Sequence, residues 1–266
     1  MVRFLFFILF FIISINKTYS NEDLLYIAHA GGEIDGFTYT NSSIAINQSI
    51  KSGYKFIELD LHLTSDEYFY GFHDFDSLIL KDKKDLEVLD DFKKKFYNHN
   101  ILKKDLIIIN KKLKYPMILE DEIINIFKKD TSLNLVTDKT QNFEAIKNKF
   151  GFMNSRLFIE IFSKKNYLRS LFYPLENRVY FTRSLDFLDR LFIRFFKINN
   201  VVFDKKILKV KDTKKILIDY RKRLNINFFT YTVNIDDDLA LYSKYLQYVY
   251  TDNILTNYNN GEAKKN

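Results

Sequence analysis

The chain has 266 residues, 47% of them hydrophobic and 28% charged, which supplies one sizeable core and excludes an intrinsically disordered chain. Its formal net charge is +7, from 41 Lys+Arg against 34 Asp+Glu; that field favours anionic substrates or anionic lipid surfaces, and no aromatic-interleaved basic stripe argues for nucleic acid. With no cysteine there is no disulfide framework, thiolate metal site or thiol nucleophile, so a metal would need oxygen or imidazole ligands, and oxygen-only coordination favours calcium or magnesium over zinc.

Arg3 precedes an apolar run over 4–13 that Ser14 and Ile15 extend. The run is shorter than the ~20 residues of a comfortable bilayer span, and Thr18-Tyr19-Ser20 offers small residues for a signal peptidase. Residues 1–20 are therefore expected to be a signal peptide cut after Ser20, the alternative being a retained N-terminal anchor. Both place the body of the protein outside the cytoplasm, periplasmic or extracellular. Residues 21–256 read as one domain and 257–266 as a polar, disordered tail.

Within the domain, short β-branched or aromatic runs alternate with longer amphipathic stretches. The pattern predicts strands over 24–28, 55–61, 133–137, 157–162, 178–181, 201–204, 227–233 and 247–251. Helices are predicted over 41–50, 119–128, 141–150, 185–196, 210–224 and 236–245. Eight strands with helical crossovers close naturally into a TIM (β/α)8 barrel. A short alternating segment at 67–72 and a Lys- and Asp-rich stretch to Tyr115 break the rhythm. This reads as an insertion after the second strand, on the face where such barrels carry their sites.

The residues with chemistry gather at predicted strand ends. His29 closes the first strand, and Gly31 and Gly32 after it permit positive φ or close approach to a ligand. Strand alternation puts Glu58, Asp60 and His62 on one face, although a parallel barrel strand is normally apolar on both. Two carboxylates aimed into a barrel need a neutralising partner, either a lysine or a metal ion. His29 before the pair and His73 after it favour the metal.

This order of residues, with Thr-Tyr-Thr-Val-Asn at 230–234 and Val-Tyr-Thr-Asp at 249–252, resembles the glycerophosphodiester phosphodiesterase family within the phospholipase-C-like barrel superfamily. The resemblance implies that His29 and His73 are the acid and base and that Glu58 and Asp60 bind a divalent metal, Ca2+ or Mg2+. It places a third acidic ligand where this chain has Thr137, so the adjacent Asp138 is expected to serve, turned inward by a local bulge. Lys139 would contact the phosphate. A second departure is His29-Ala30-Gly31-Gly32 where the family carries His-Arg-Gly, and Asn41 is what remains of its Glu-Asn-Thr. Asn41 is expected to serve the site or to cap the following helix.

The implied activity is hydrolysis of a small phosphodiester, such as a glycerophosphodiester or a phospholipid-derived substrate, with possible association at a membrane surface. The alternatives are a phospholipase-type enzyme acting on lipid headgroups and a catalytically impaired barrel that binds phospholipid or a surface glycan. Glu160, polar in an apolar strand, and Tyr231 are candidate substrate contacts. His62 is expected to hydrogen-bond behind the site, and His99, flanked by Asn98 and Asn100, to lie on the surface.

Overall fold

The computed structural model describes residues 24–234 and 239–253; the expected leader at 1–20 and tail at 257–266 lie outside them. In chain order the strands are β1 (Leu25–Ala28), β2 (Phe56–Leu59), β3 (Leu61–Leu63), β4 (Phe69–Gly71), β5 (Asn134–Thr137), β6 (Leu157–Ile161), β7 (Asn177–Phe181), β8 (Asn200–Asp204), β9 (Asn227–Tyr231) and β10 (Tyr248–Thr251). The helices are α1 (Ser43–Lys51), α2 (Leu86–Tyr97), α3 (Lys103–Asn110), α4 (Glu120–Lys129), α5 (Phe143–Phe150), α6 (Lys164–Ser170), α7 (Phe187–Phe195), α8 (Thr213–Leu224) and α9 (Leu239–Ser243). Among the described residues, β1, β2 and β5 to β10 pair in parallel and close a barrel. The TIM-barrel expectation is met, each predicted strand lying within two residues of an observed one.

Alternation along the strands builds two apolar layers. Ile27, Phe56, Val136, Phe158, Val179, Val202, Phe229 and Tyr250 fill the barrel interior, with Phe229 and Tyr248 stacked at 4.2 Å and 8°. Ala28, Ile57, Leu135, Ile159 and Val201, one residue along, face outward into the layer under the helices. Burying a Val, Leu, Ile or Phe side chain stabilises the fold by roughly 1.5–3 kcal/mol each, so a one-residue slip in any strand would be strongly disfavoured.

The insertion is more structured than its Lys-rich sequence indicates. β3 and β4 form an antiparallel hairpin, and α2 and α3 pack on it around Tyr70, Phe72, Phe92, Leu106 and Leu113, a second hydrophobic cluster. The helix α2 was not predicted because Leu89, Phe92 and Phe96, at helical spacing, are interrupted by Lys93, Lys94 and Lys95. Three backbone bonds lace the insertion to the barrel: the Phe72 amide donates to the Asp60 carbonyl (2.9 Å), Gly71 to Ile118 (3.0 Å), and Ile118 to Asn41 (2.8 Å). The first of these fixes the chain immediately before His73.

Candidate active site

A cavity of about 390 Å³ opens at the carboxyl ends of the barrel strands, lined by both predicted histidines, the predicted carboxylates, Lys139 and Tyr231. On its acidic wall, Glu58, Asp60 and Asp138 each offer an oxygen within 4.8 Å of the others. Glu58 sits on β2, and its Oε2 accepts from the Ala30 amide at 2.6 Å. The strand ladder breaks at Asp60, where Asn41 supplies the bonds instead. Its Nδ2 donates to Asp60 Oδ2 at 2.7 Å and its Oδ1 accepts from the Asp60 amide at 3.0 Å. To do this Asn41 adopts φ +46°, a left-handed conformation that Asn tolerates better than most residues. Its expected alternative role falls elsewhere: Ser42 caps α1, accepting from the Ala45 amide at 3.2 Å.

Asp138 points inward without the expected bulge. Val136 belongs to the barrel interior, so alternation carries Asp138, two residues on, to the same side and Thr137 to the other. Lys139 is the ammonium in this wall, at 2.9 Å from Asp60 Oδ1 and 3.2 Å from Asp138 Oδ2. Burial, then the charges of Asp60 and Asp138, push the Glu58 carboxyl well above the usual carboxylate range. Burial, then Asp60, raises Asp138 to about 6. For Lys139 burial works downward, but the charges of Asp138 and Asp60 outweigh it and hold the ammonium protonated.

The opposite wall carries the imidazoles. His29 follows β1, and its Nδ1 lies 3.2 Å from Asp252 Oδ1. Asp252, just past β10, is itself held by Asn234 Nδ2 at 3.1 Å and donates its amide to Asn234 Oδ1 at 3.0 Å. His73 Nδ1 lies 2.7 Å from Asp74 Oδ2. In each pair Nδ1 faces the carboxylate, which leaves Nε2 for chemistry. Tyr39 separates the two, its ring centroid 4.8 Å from that of His29 and 4.5 Å from that of His73.

Of the remaining candidates, Glu160 points inward from β6 and accepts from the Tyr250 hydroxyl; burial, then Asp138, raises its carboxyl to about 8. Tyr231 forms a wall, its ring stacked with Phe181 at 6.4 Å and 17°. Gly31 and Gly32 do have positive φ, +83° and +93°, but they serve close packing on α1: an added Cβ would meet Ile46 at 2.9 Å and Ser49 Oγ at 2.2 Å. His62 does lie behind the site, hydrogen-bonded to the Phe72 backbone just before His73 and within the fields of Asp60 and Lys139. The strand break at Asp60 turns it into the insertion, with its ring 5.4–5.7 Å from those of Tyr70, Phe72 and Phe96. His99 is exposed, as expected.

Sequence reading missed Asp252, Tyr39, Tyr250, Thr232 and Phe162. Asp252 ends the Val-Tyr-Thr-Asp run on the last strand, and that position was its one signal; Tyr39 lies in an irregular loop at φ +60° and left none.

The acidic wall fits a divalent cation that prefers oxygen. Three carboxylates face one ammonium, and Asp138 Oδ1 is buried with no hydrogen-bond partner, the condition that a hard cation relieves.

No family model matches the chain, and no curated protein matches it in sequence. Solved structures do. A glycerophosphodiester phosphodiesterase from Parabacteroides distasonis superimposes with a TM-score of 0.61 at 16% identity, over 92% of this chain and 100% of the other. A phosphodiesterase from Oleispira antarctica, solved with the product sn-glycerol-3-phosphate, gives 0.61 at 16%, over 90% and 96%. A glycerophosphodiester phosphodiesterase from Thermotoga maritima gives 0.56 at 16%, over 86% and 94%. These likenesses establish the shared barrel fold across nearly the whole domain.

Proposed function

We propose that the chain is a metal-dependent phosphoric diester hydrolase of the glycerophosphodiester phosphodiesterase family, acting on small glycerophosphodiesters or related phosphodiesters. One observation carries this reading: two carboxylate-oriented imidazoles and three mutually close carboxylates converge on a single cavity of about 390 Å³. The fold shared with solved phosphodiesterases supports it, as does the product held by one of them.

Glu58, Asp60 and Asp138 would hold the divalent cation, Ca2+ or Mg2+, which supplies charge neutralisation at the phosphoryl oxygens. Lys139 adds a fixed positive charge at the same wall. It takes on more of the anion binding because Ala30 stands where the family carries arginine. The attacking oxygen, from water or a neighbouring substrate hydroxyl, gives its proton to Nε2 of one histidine. The leaving alkoxide takes a proton from Nε2 of the other. Asp252 and Asp74 hold the two rings with Nε2 free and stabilise each ring when it is cationic. Tyr39 packs its ring against both imidazoles. Glu160, kept protonated at neutral pH, and Tyr231 face the substrate's alcohol.

The test is release of alcohol from a panel of glycerophosphodiesters, with and without chelator, by wild type and His29→Ala. Turnover that is abolished by chelator and by the substitution supports the reading. Equal turnover by His29→Ala removes the acid and base assignment, and binding without turnover across the panel favours an impaired, ligand-binding barrel.

A further inference from the structure

The outer flank of the barrel around α7 and α8 does not look like an ordinary solvated surface. The α7 sequence Phe-Leu-Asp-Arg-Leu-Phe-Ile-Arg-Phe buries Ile193 and packs Phe192 against the core. A helix that meets its core in this way normally shows water a polar opposite face. Here the opposite face is also apolar: Phe187 is 63% exposed, Leu188 64%, Leu191 47% and Phe195 80%. Arg190 and Arg194 are interleaved with these side chains.

Beside this stripe a groove of about 600 Å³ runs between α7 and α8. Its lining includes Arg190, Arg194, Lys215, Lys222 and Arg223 against one carboxylate, Asp219, and Arg223 already pairs with Asp219 at 2.6 Å. Arg194 lies over the Tyr220 ring at 5.1 Å. Protruding rings and leucines within a field of cations are the two components of interfacial membrane binding. The apolar groups enter the acyl boundary, and the cations meet anionic headgroups.

We propose that the α7–α8 flank docks on the surface of an anionic lipid bilayer. Charge decides against a second copy of the chain as the occupant, since a symmetric contact would press the same cations against themselves. A nucleic acid would satisfy the cations but offer no hydrocarbon to Leu188 and Leu191. The arrangement also suits a site at the barrel mouth. Because α7 follows β7 and runs back down the barrel, Phe187 and Leu188 lie at its mouth end. A barrel lying on this flank keeps its cavity open at the water–lipid boundary. The proposal stands apart from the chemistry assigned to the cavity, and none of its residues line that cavity.

The test uses the full chain, and its readout is local because the apolar run at 4–13 can carry the chain to a vesicle by itself. The sequence contains no tryptophan, so Phe187→Trp gives a single reporter on the flank, and Tyr97→Trp, on the insertion, a control. Both are titrated with phosphatidylcholine vesicles, with and without phosphatidylglycerol, and with acyl-brominated lipid as quencher. The expected result is a blue shift and quenching at position 187 that require phosphatidylglycerol and are absent at 97. Adding Arg190→Glu and Arg194→Glu should raise the lipid needed for half the change about 25-fold, from about fivefold per cation. The proposal is overturned by no change at 187, by the same insertion at both positions, or by indifference to the charge reversals. A change at 187 that grows with protein concentration without vesicles overturns it in favour of self-association.

Discussion

The barrel mouth and the inserted subdomain each border a cavity of nearly the same volume, about 390 and 380 Å³. Each also buries a polar atom without a partner, Asp138 Oδ1 in the first and His62 Nε2 in the second. Their chemistry differs because of what surrounds that atom. Around Asp138 lie two more carboxylates, an ammonium and two oriented imidazoles, brought from the ends of β1, β2, β4 and β5 to one cavity. Around His62 lie the rings of Tyr70, Phe72 and Phe96 and one backbone bond to Phe72; among the described residues its cavity is lined by no carboxylate and by no second imidazole but His99. A buried, unpartnered polar atom is therefore weak evidence of a site until groups of complementary function converge on it.

The strongest way to break this contrast is through the histidines. His29→Ala and His73→Ala are each expected to lower kcat by 10²–10⁴-fold, about 3–5 kcal/mol of barrier, with melting temperature close to wild type. His62→Phe should leave turnover within a factor of about two, since its ring does not reach the cavity. Steady-state rates on a hydrolysed diester, paired with thermal unfolding, would separate the cases. Equal loss in all three variants would show that the contrast is one of folding.

The second test is pH. Asp138 is raised to about 6 from an ordinary 3.8, and Glu160 to about 8 from 4.5. Between each pair of values the native state keeps a proton that the unfolded chain has already released, so stability falls as pH rises through that window. In chelator, urea denaturation should show a loss on the order of 3 kcal/mol between pH 4 and pH 8. Glu160→Gln should remove the upper part of the slope. Ca2+ or Mg2+ should restore stability more at pH 8 than at pH 5, and Glu58→Gln combined with Asp60→Asn should abolish that restoration. A cation that stabilises the double variant as well as wild type would be bound elsewhere.

Asn41→Ala comes next in size. Its side chain both orients the Asp60 carboxylate and replaces a missing ladder bond, at 2.7 and 3.0 Å. Removing such a support typically costs 10–100-fold in metal affinity. Isothermal titration should show that loss for the cation, while the pH dependence of turnover at saturating metal keeps its shape.

The barrel itself was legible because it is written in strand alternation. Val136 and Leu135 point to opposite layers, and the same rule, applied one step further, would have placed Asp138 inward without a bulge. The carboxylates and both histidines were legible because polar residues at the ends of apolar strands stand out. What alternation could not show were contacts closed by irregular backbone or across the whole chain. Tyr39 depends on a left-handed loop, the His29–Asp252 pair spans 223 residues, and His62 turns into the insertion because the strand stops at Asp60. The insertion itself was legible as a break in the rhythm, but its helix α2 was not, the helical period being masked by lysines that α2 turns to solvent.

The smallest expected effect sharpens the contrast from the insertion's side. Burial lowers His62 to about 4 from an ordinary 6.5, so between those values the unfolded chain takes up a proton that the native state refuses. Stability from this group therefore rises with pH over the same acidic range in which the mouth's carboxylates make it fall. His62→Phe removes the imidazole and its unpartnered Nε2 and leaves a ring of similar breadth among rings. It is expected to stabilise the protein by about 1 kcal/mol at neutral pH, the lower end of what an unsatisfied buried polar group costs. The gain should be larger near pH 4.5, where the wild-type unfolded state binds the proton. Denaturation of wild type and variant at pH 4.5 and 7.5 in chelator decides it. A variant that is destabilised at both values would mean that the bond from His62 to the Phe72 backbone is worth more than the unpartnered Nε2 costs.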